Sequence, residues 1–224
     1  LQSQGAIKIN DQMSLDSAAD LSLTAGVDLA AQGAELSGTA VALKAETGAV
    51  AADGASITAR DELDVSSKGD VGLVGAALSG ANVALTAKEG FVAAGNASIT
   101  AGTELDVSSK GDIGLTDAEL STTGAAVSLS SAEGAVDLSG ESAFKAQSLT
   151  VASQKDINLA NRTITVTGAA SVESGDSVTA QGATIQAQSL QMTAATGVNT
   201  ENATLAATAV SYTHLRAHET VLDL

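Results

Sequence analysis

Apolar residues along this chain come in short alternating groups. From Met13 onward the rhythm is one mark followed by two pairs: Leu15, then Leu21 and Leu23, then Val27 and Leu29. The same rhythm returns as Ile99, then Leu105 and Val107, then Ile113 and Leu115. Alternation at i and i+2 is the period of a strand, and no useful window carries apolar residues at i, i+3, i+4 and i+7. Each group therefore predicts a short strand, three to a unit. Between them lie clusters such as SSKGD, TAG, AEG and AQG, where Gly can take positive φ and Ser or Asp can close a turn.

The pattern is also periodic on a longer scale. Residues 62–73 read ELDVSSKGDVGL and residues 104–115 read ELDVSSKGDIGL, 42 residues apart and differing only at Val71 and Ile113. The stretch 76–96 between them is 21 residues long and can be laid on either neighbour, with Leu78 falling between Ile57 and Ile99. The unit is therefore 21 residues. Extending the frame gives nine units: 13–33, 34–54, 55–75, 76–96, 97–117, 118–141, 142–162, 163–182 and 183–202. Partial units flank them, with Ile7 and Ile9 before and Leu205 after. Unit 118–141 carries three extra residues, which predicts a bulge in one turn.

Three strands in so few residues leave one apolar flank without a partner, and stacking supplies it. The fold class expected is all-β: a single right-handed parallel β-helix, a β-solenoid of about nine complete coils, with handedness taken from the rule for parallel crossovers. Equivalent strands would lie roughly 4.8 Å apart, making a rod on the order of 45 Å long. One inward column would run Leu15, Leu36, Ile57, Leu78, Ile99, Leu120, Phe144, Ile164, Ile185, Leu205. Burying each such side chain contributes about 1.5–3 kcal/mol, which offsets the entropy of ordering a coil only when neighbouring coils are present. The two dodecamers repeat because they fill the same strands and corner in coils with equivalent surroundings.

Composition narrows the picture. The chain is 44% apolar, mostly Ala, Val, Leu and Ile, with Phe91, Phe144 and Tyr212 its only aromatic residues. Small uniform side chains suit a narrow interior of constant cross-section. A net charge of -16 repels phosphate backbones and anionic lipid heads, so neither nucleic acid nor membrane insertion is expected. There is no Cys, and so no disulfide or thiolate metal site. No run of about 18 apolar residues suggests a membrane span. Leu1 begins mid-pattern, which reads as an internal piece of a longer protein.

Candidate chemistry is sparse. Asp70 and Asp112 in the two KGD corners are read as solvated turn residues, since one Asp per corner supplies too few oxygens for calcium. Thr163, Thr165 and Thr167 form a T-x-T-x-T run that the adjacent coils do not continue, and are read as an outward strand face. Arg60 and Arg162 are too far apart along the coils to stabilise a carbanion together. His214 and His218 stand at i, i+4, but Leu215 occupies the place where H-E-x-x-H needs its glutamate, and Glu219 follows the second His instead. No catalytic, cofactor-binding or metal residue is assigned, and no enzymatic activity is expected. After Val210 the pattern breaks into SYTHLRAHETVLDL. This tail resembles translated read-through of sequencing adapters, so the chain divides into a repeat segment, 1–210, and a non-native or disordered tail, 211–224.

Segments such as ADLSLTAGVDLAAQGAELSG, KDINLA and ESGDSVTAQGATIQAQSLQMTAATG, with a D-(I/V/L)-x-L corner after Gly or Lys, resemble the filamentous haemagglutinin repeats of large exoproteins secreted by the two-partner pathway. That family includes adhesins and the stalks of contact-dependent inhibition toxins. The resemblance implies export to the surface of a Gram-negative bacterium, past an outer-membrane transporter, as part of a shaft. Its partners would be further coils of the parent chain at both ends and a receptor on a host or neighbouring cell. Two other functions compete: a module binding glycan or protein through the outer faces, and a carbohydrate-active β-helix enzyme.

Overall fold

A computed structural model describes residues 1–122 and 124–214, and every regular element among them is a strand. The strands pair in parallel with their counterparts one coil away, in one sheet of 15 strands and another of 10. The chain is a β-solenoid.

The inward column holds throughout. Leu36 pairs with Leu15 and Ile57, Leu78 with Ile57 and Ile99, and Ile99 with Leu120. Phe144, Ile164, Ile185 and Leu205 continue it, joined to Leu120 through the adjacent pair Ser121 and Lys145. From Leu36 to Ile185 each member is at most 2% exposed, whereas Leu15 and Leu205 in the outermost coils are only partly buried. Val71 and Ile113 both pair with Val92 and are buried, so their exchange is one aliphatic side chain for another inside.

In the central coils the first two expected strands run together as one bent strand: Glu35–Ala45, Ser56–Ser67, Ala77–Ala87 and Ser98–Ser109. The third is a two-residue strand such as Val50–Ala51 or Val71–Gly72. Register shifts between Gly38 and Ala40 and between Gly80 and Asn82 mark the bend. Their cause lies in the spacing. Leu63 follows Ile57 by six residues, whereas Val41 follows Leu36, and Val83 follows Leu78, by five. The next corner compensates: Val71 follows Val65 by six, but Val50 follows Leu43, and Val92 follows Leu85, by seven. Coils of equal length thus alternate between two layouts. The two dodecamers share one layout, which makes the 42-residue repeat a structural pair of coils.

Two details differ from expectation. Val27 is 44% exposed, and the inward pair of its coil is Leu29 and Ala31, because Val27 lies in the bend before strand Leu29–Ala30 begins to alternate. The three extra residues of unit 118–141 do not form one bulge. Partner separations grow from 21 at Ile99 and Leu120 to 22 at Leu105 and Val127, 23 at Ile113 and Val136, and 24 at Ser121 and Lys145. One residue enters at each corner, where it widens a turn; the second and third ladders stay paired in full on both sides, and the first keeps one pair toward the next coil, Ser121 and Lys145. The strand Thr204–His214 stays in register with Thr184–Ala194 up to the pair His214 and Ala194, four residues past Val210. Leu215, His218 and Glu219 lie outside the described residues.

Candidate functional site

The corners carry the polar chemistry. Gly33, Gly54, Gly75, Asn96, Asp117, Asn161, Gly182 and Asn202 all have φ between 54° and 67°. At each, the N–H of the next residue donates to a carbonyl three residues back, as Ala76 does to Leu73 at 3.0 Å and Ala97 to Ala94 at 3.2 Å. A turn whose third residue is left-handed favours Gly, Asn or Asp, and these residues stand at the ends of the units.

The KGD aspartates do more than face solvent. Asp70 Oδ1 accepts the N–H of Phe91 at 3.1 Å and Asp112 Oδ1 that of Ala135 at 2.8 Å, as Asp28 does from Ala49 at 2.9 Å. Each carboxylate therefore ties its corner to the next coil. The lysines of the same triplets pair across coils too, Lys68 with Glu89 at 3.7 Å and Lys110 with Glu133 at 3.6 Å. Successive coils place Glu46, Lys68, Lys88 with Glu89, Lys110, Glu133 and Lys155 at this corner, so both signs of charge are interspersed along the rod. The paired groups are exposed, and such pairs contribute at most about 1 kcal/mol.

Beneath the corner lies a column that spacing alone did not single out. Ser67, Ser109, Ser131, Ser153 and Ser174 are buried where other coils have Ala45, Ala87 and Ala194. Their hydroxyls donate to corner carbonyls: Ser67 to Gly69 at 2.7 Å, Ser109 to Gly111 at 2.6 Å, Ser153 to Gly134 at 2.7 Å. Recurrent SS pairs before KGD were the available signal.

The remaining candidates do not converge. Thr163 and Thr165 are half-buried on an outward face, opposite Ala143 and Lys145 on one side and Thr184 and Gln186 on the other. Arg60 is exposed, whereas Arg162 is fully buried in the interior, so the two share no surface. Arg162 stands where other coils have Ala34, Ala55, Ala76, Ala97, Ala118 and Ala183. Its Nη2–H donates to the carbonyl of Ala118, and its guanidinium lies 5.8 Å from the centre of the Phe144 ring. Nε and Nη1 have no partner. Burial pulls its pKa down, and Asp117 opposes that by favouring the charged form. Among the described residues no group of three His, Cys, Asp or Glu is placed to hold a metal.

A family model described as the hemagglutinin repeat matches residues 74–212. The chain belongs to the hemagglutinin repeat family. No curated protein and no solved structure matches it. The hemagglutinin repeat match spans the second dodecamer, the enlarged coil and the start of the chain's last segment. The first dodecamer lies just before it and pairs into the same ladders. A hemagglutinin repeat folded as a solenoid fits a structural shaft of an adhesin-like exoprotein.

Proposed function

We propose that this segment is a rigid shaft within a secreted, surface-exposed exoprotein, holding a distal adhesive or toxin domain away from the cell. The family is typical of secreted or cell-surface exoproteins of Gram-negative bacteria. The observation that carries the reading is the buried inward column from Leu36 to Ile185, with one large apolar side chain in every coil. A core of constant section resists bending, and its length is set by coil number alone. On this reading further coils of the parent chain stack on both ends, and an outer-membrane transporter exports the whole. Electron microscopy of the full chain and of a variant with residues 55–96 duplicated tests it. The variant rod is expected to be longer by roughly 10 Å, two strand spacings; an unchanged length or a globular particle overturns the proposal.

A second reading, direct binding, is favoured by one feature. Phe91 is 45% exposed on an open groove of about 470 Å³ shared with Asp70, Lys110, Asp112, Glu133 and Lys155. An exposed ring beside carboxylates suits a sugar face. Glycan-array binding that disappears in Phe91→Ala supports this reading, and an array without signal removes it.

A further inference from the structure

We infer that the coil 118–141 divides the solenoid into two units that unfold separately, so that the shaft has a built-in place to yield. Its strand Glu119–Ser121 meets Ala143–Ala146 through a single residue pair, Ser121 and Lys145. The equivalent junctions on either side have three pairs, with Ser98–Ser109, and four, between Ala143–Ala146 and Thr163–Val166. At the end of this coil Gly140 has φ 132° instead of the 54° to 67° of its neighbours. The turn hydrogen bond that closes the adjacent coils at Ala118 and Arg162 is missing at Ser142 among the described residues.

Inside, the column of small residues breaks at the same level. Ser142 is only half-buried where Ala118 and Ala183 are fully buried. The side chain of Arg162, one coil on, passes that level, lies against Phe144 and ends on the carbonyl of Ala118 two coils away. A guanidinium with two of its nitrogens unpaired in an apolar interior holds a junction less well than packed alanines do. Thr122, fully buried, spans the same junction with one side-chain hydrogen bond, Oγ1–H to the Lys145 carbonyl at 2.7 Å.

In a stacked array, stability is close to a sum of coil terms and nearest-neighbour terms, and cooperativity fails where the neighbour term is smallest. The widened coil is that place. Hydrogen exchange of the full chain along a urea series tests the inference. Residues 13–117 and 142–210 are expected to lose protection at different urea concentrations, with amides of 119–146 exchanging about tenfold faster than those of coils on either side. One transition with uniform protection, or a boundary in another coil, overturns it. A second variant removes the boundary: deletion of Gly124, Ala132 and Glu141, one residue per corner, combined with Phe144→Leu and Arg162→Ala. This chain is expected to unfold in one transition, and two transitions persisting in it also overturn the inference.

Discussion

Residues 13–117 and 118–162 are built from the same coil under different constraints. In the first region five units hold to 21 residues, and alternation of corner lengths is cancelled within each coil. In the second, each corner of unit 118–141 has gained a residue, yet the inward column runs through it and Asp112 still ties its corner to Ala135. Turns thus absorb variation that strands cannot, because a ladder shifted by one residue would reverse every side chain. The variation surfaces inside instead. A large ring and a buried cation, Phe144 and Arg162, occupy sites that are aliphatic, or alanine in most coils, elsewhere.

The largest effects test whether the two cores are equally packed. Leu85 in the regular region and Leu138 in the enlarged coil are both fully buried. Truncating either to Ala is expected to cost about 2–5 kcal/mol, read from urea midpoints. A much smaller loss for Leu138→Ala than for Leu85→Ala would show that the enlarged coil is loosely packed, and would locate the difference between the regions in the interior. Next in size is the corner itself. Gly75 has φ 67° with open space around the position of a Cβ, so Gly75→Val acts through backbone conformation alone. It is expected to lower stability by about 1–3 kcal/mol, while Asn96→Gly in the next coil should leave thermal unfolding nearly unchanged.

The smallest effect concerns charge on the regular half. Burial first, and then Glu62, raise the Asp64 carboxyl above its usual 3.8, while a hydrogen bond from Ser66 and the charges of Lys44 and Lys88 oppose this. An acid whose pKa is higher in the fold than in the unfolded chain weakens the fold once ionised. Its cost is present above the folded value and fades as pH falls through that value toward 3.8. Asp64→Asn is therefore expected to raise stability at neutral pH, with the gain vanishing below pH 3.8. Thermal melts across that range check it, and a gain that persists in acid would assign the effect to packing.

Strand period, coil length and the partners of Leu36, Ile57 and Leu78 were readable in the sequence, because period-2 alternation and a repeated dodecamer both report directly on stacking. Corner detail was not. Val27 looked inward because it stands two residues before Leu29, but alternation applies only within a strand, and a bend separates them. The extra residues of 118–141 could be counted but not placed, since only partner registers show that each corner took one. From the sequence Arg162 reads only as a basic residue far from Arg60, and its interior position follows from column geometry that a charged letter conceals. The aspartates of the KGD corners were read as solvated for a similar reason. The groups they accept from, Phe91 N–H and Ala135 N–H, are more than twenty residues ahead in the chain.

The alternating corner also limits how such a protein can change size by recombination. Loss of residues 76–96 alone would remove Glu89, the partner of Lys68, and put the coil of Lys110 in its place. Loss of 42 residues, such as 76–117, would instead bring the coil of Glu133 next to that of Lys68. Unequal crossing-over in even steps should therefore conserve the ion pairs of this corner, while a single step erases one.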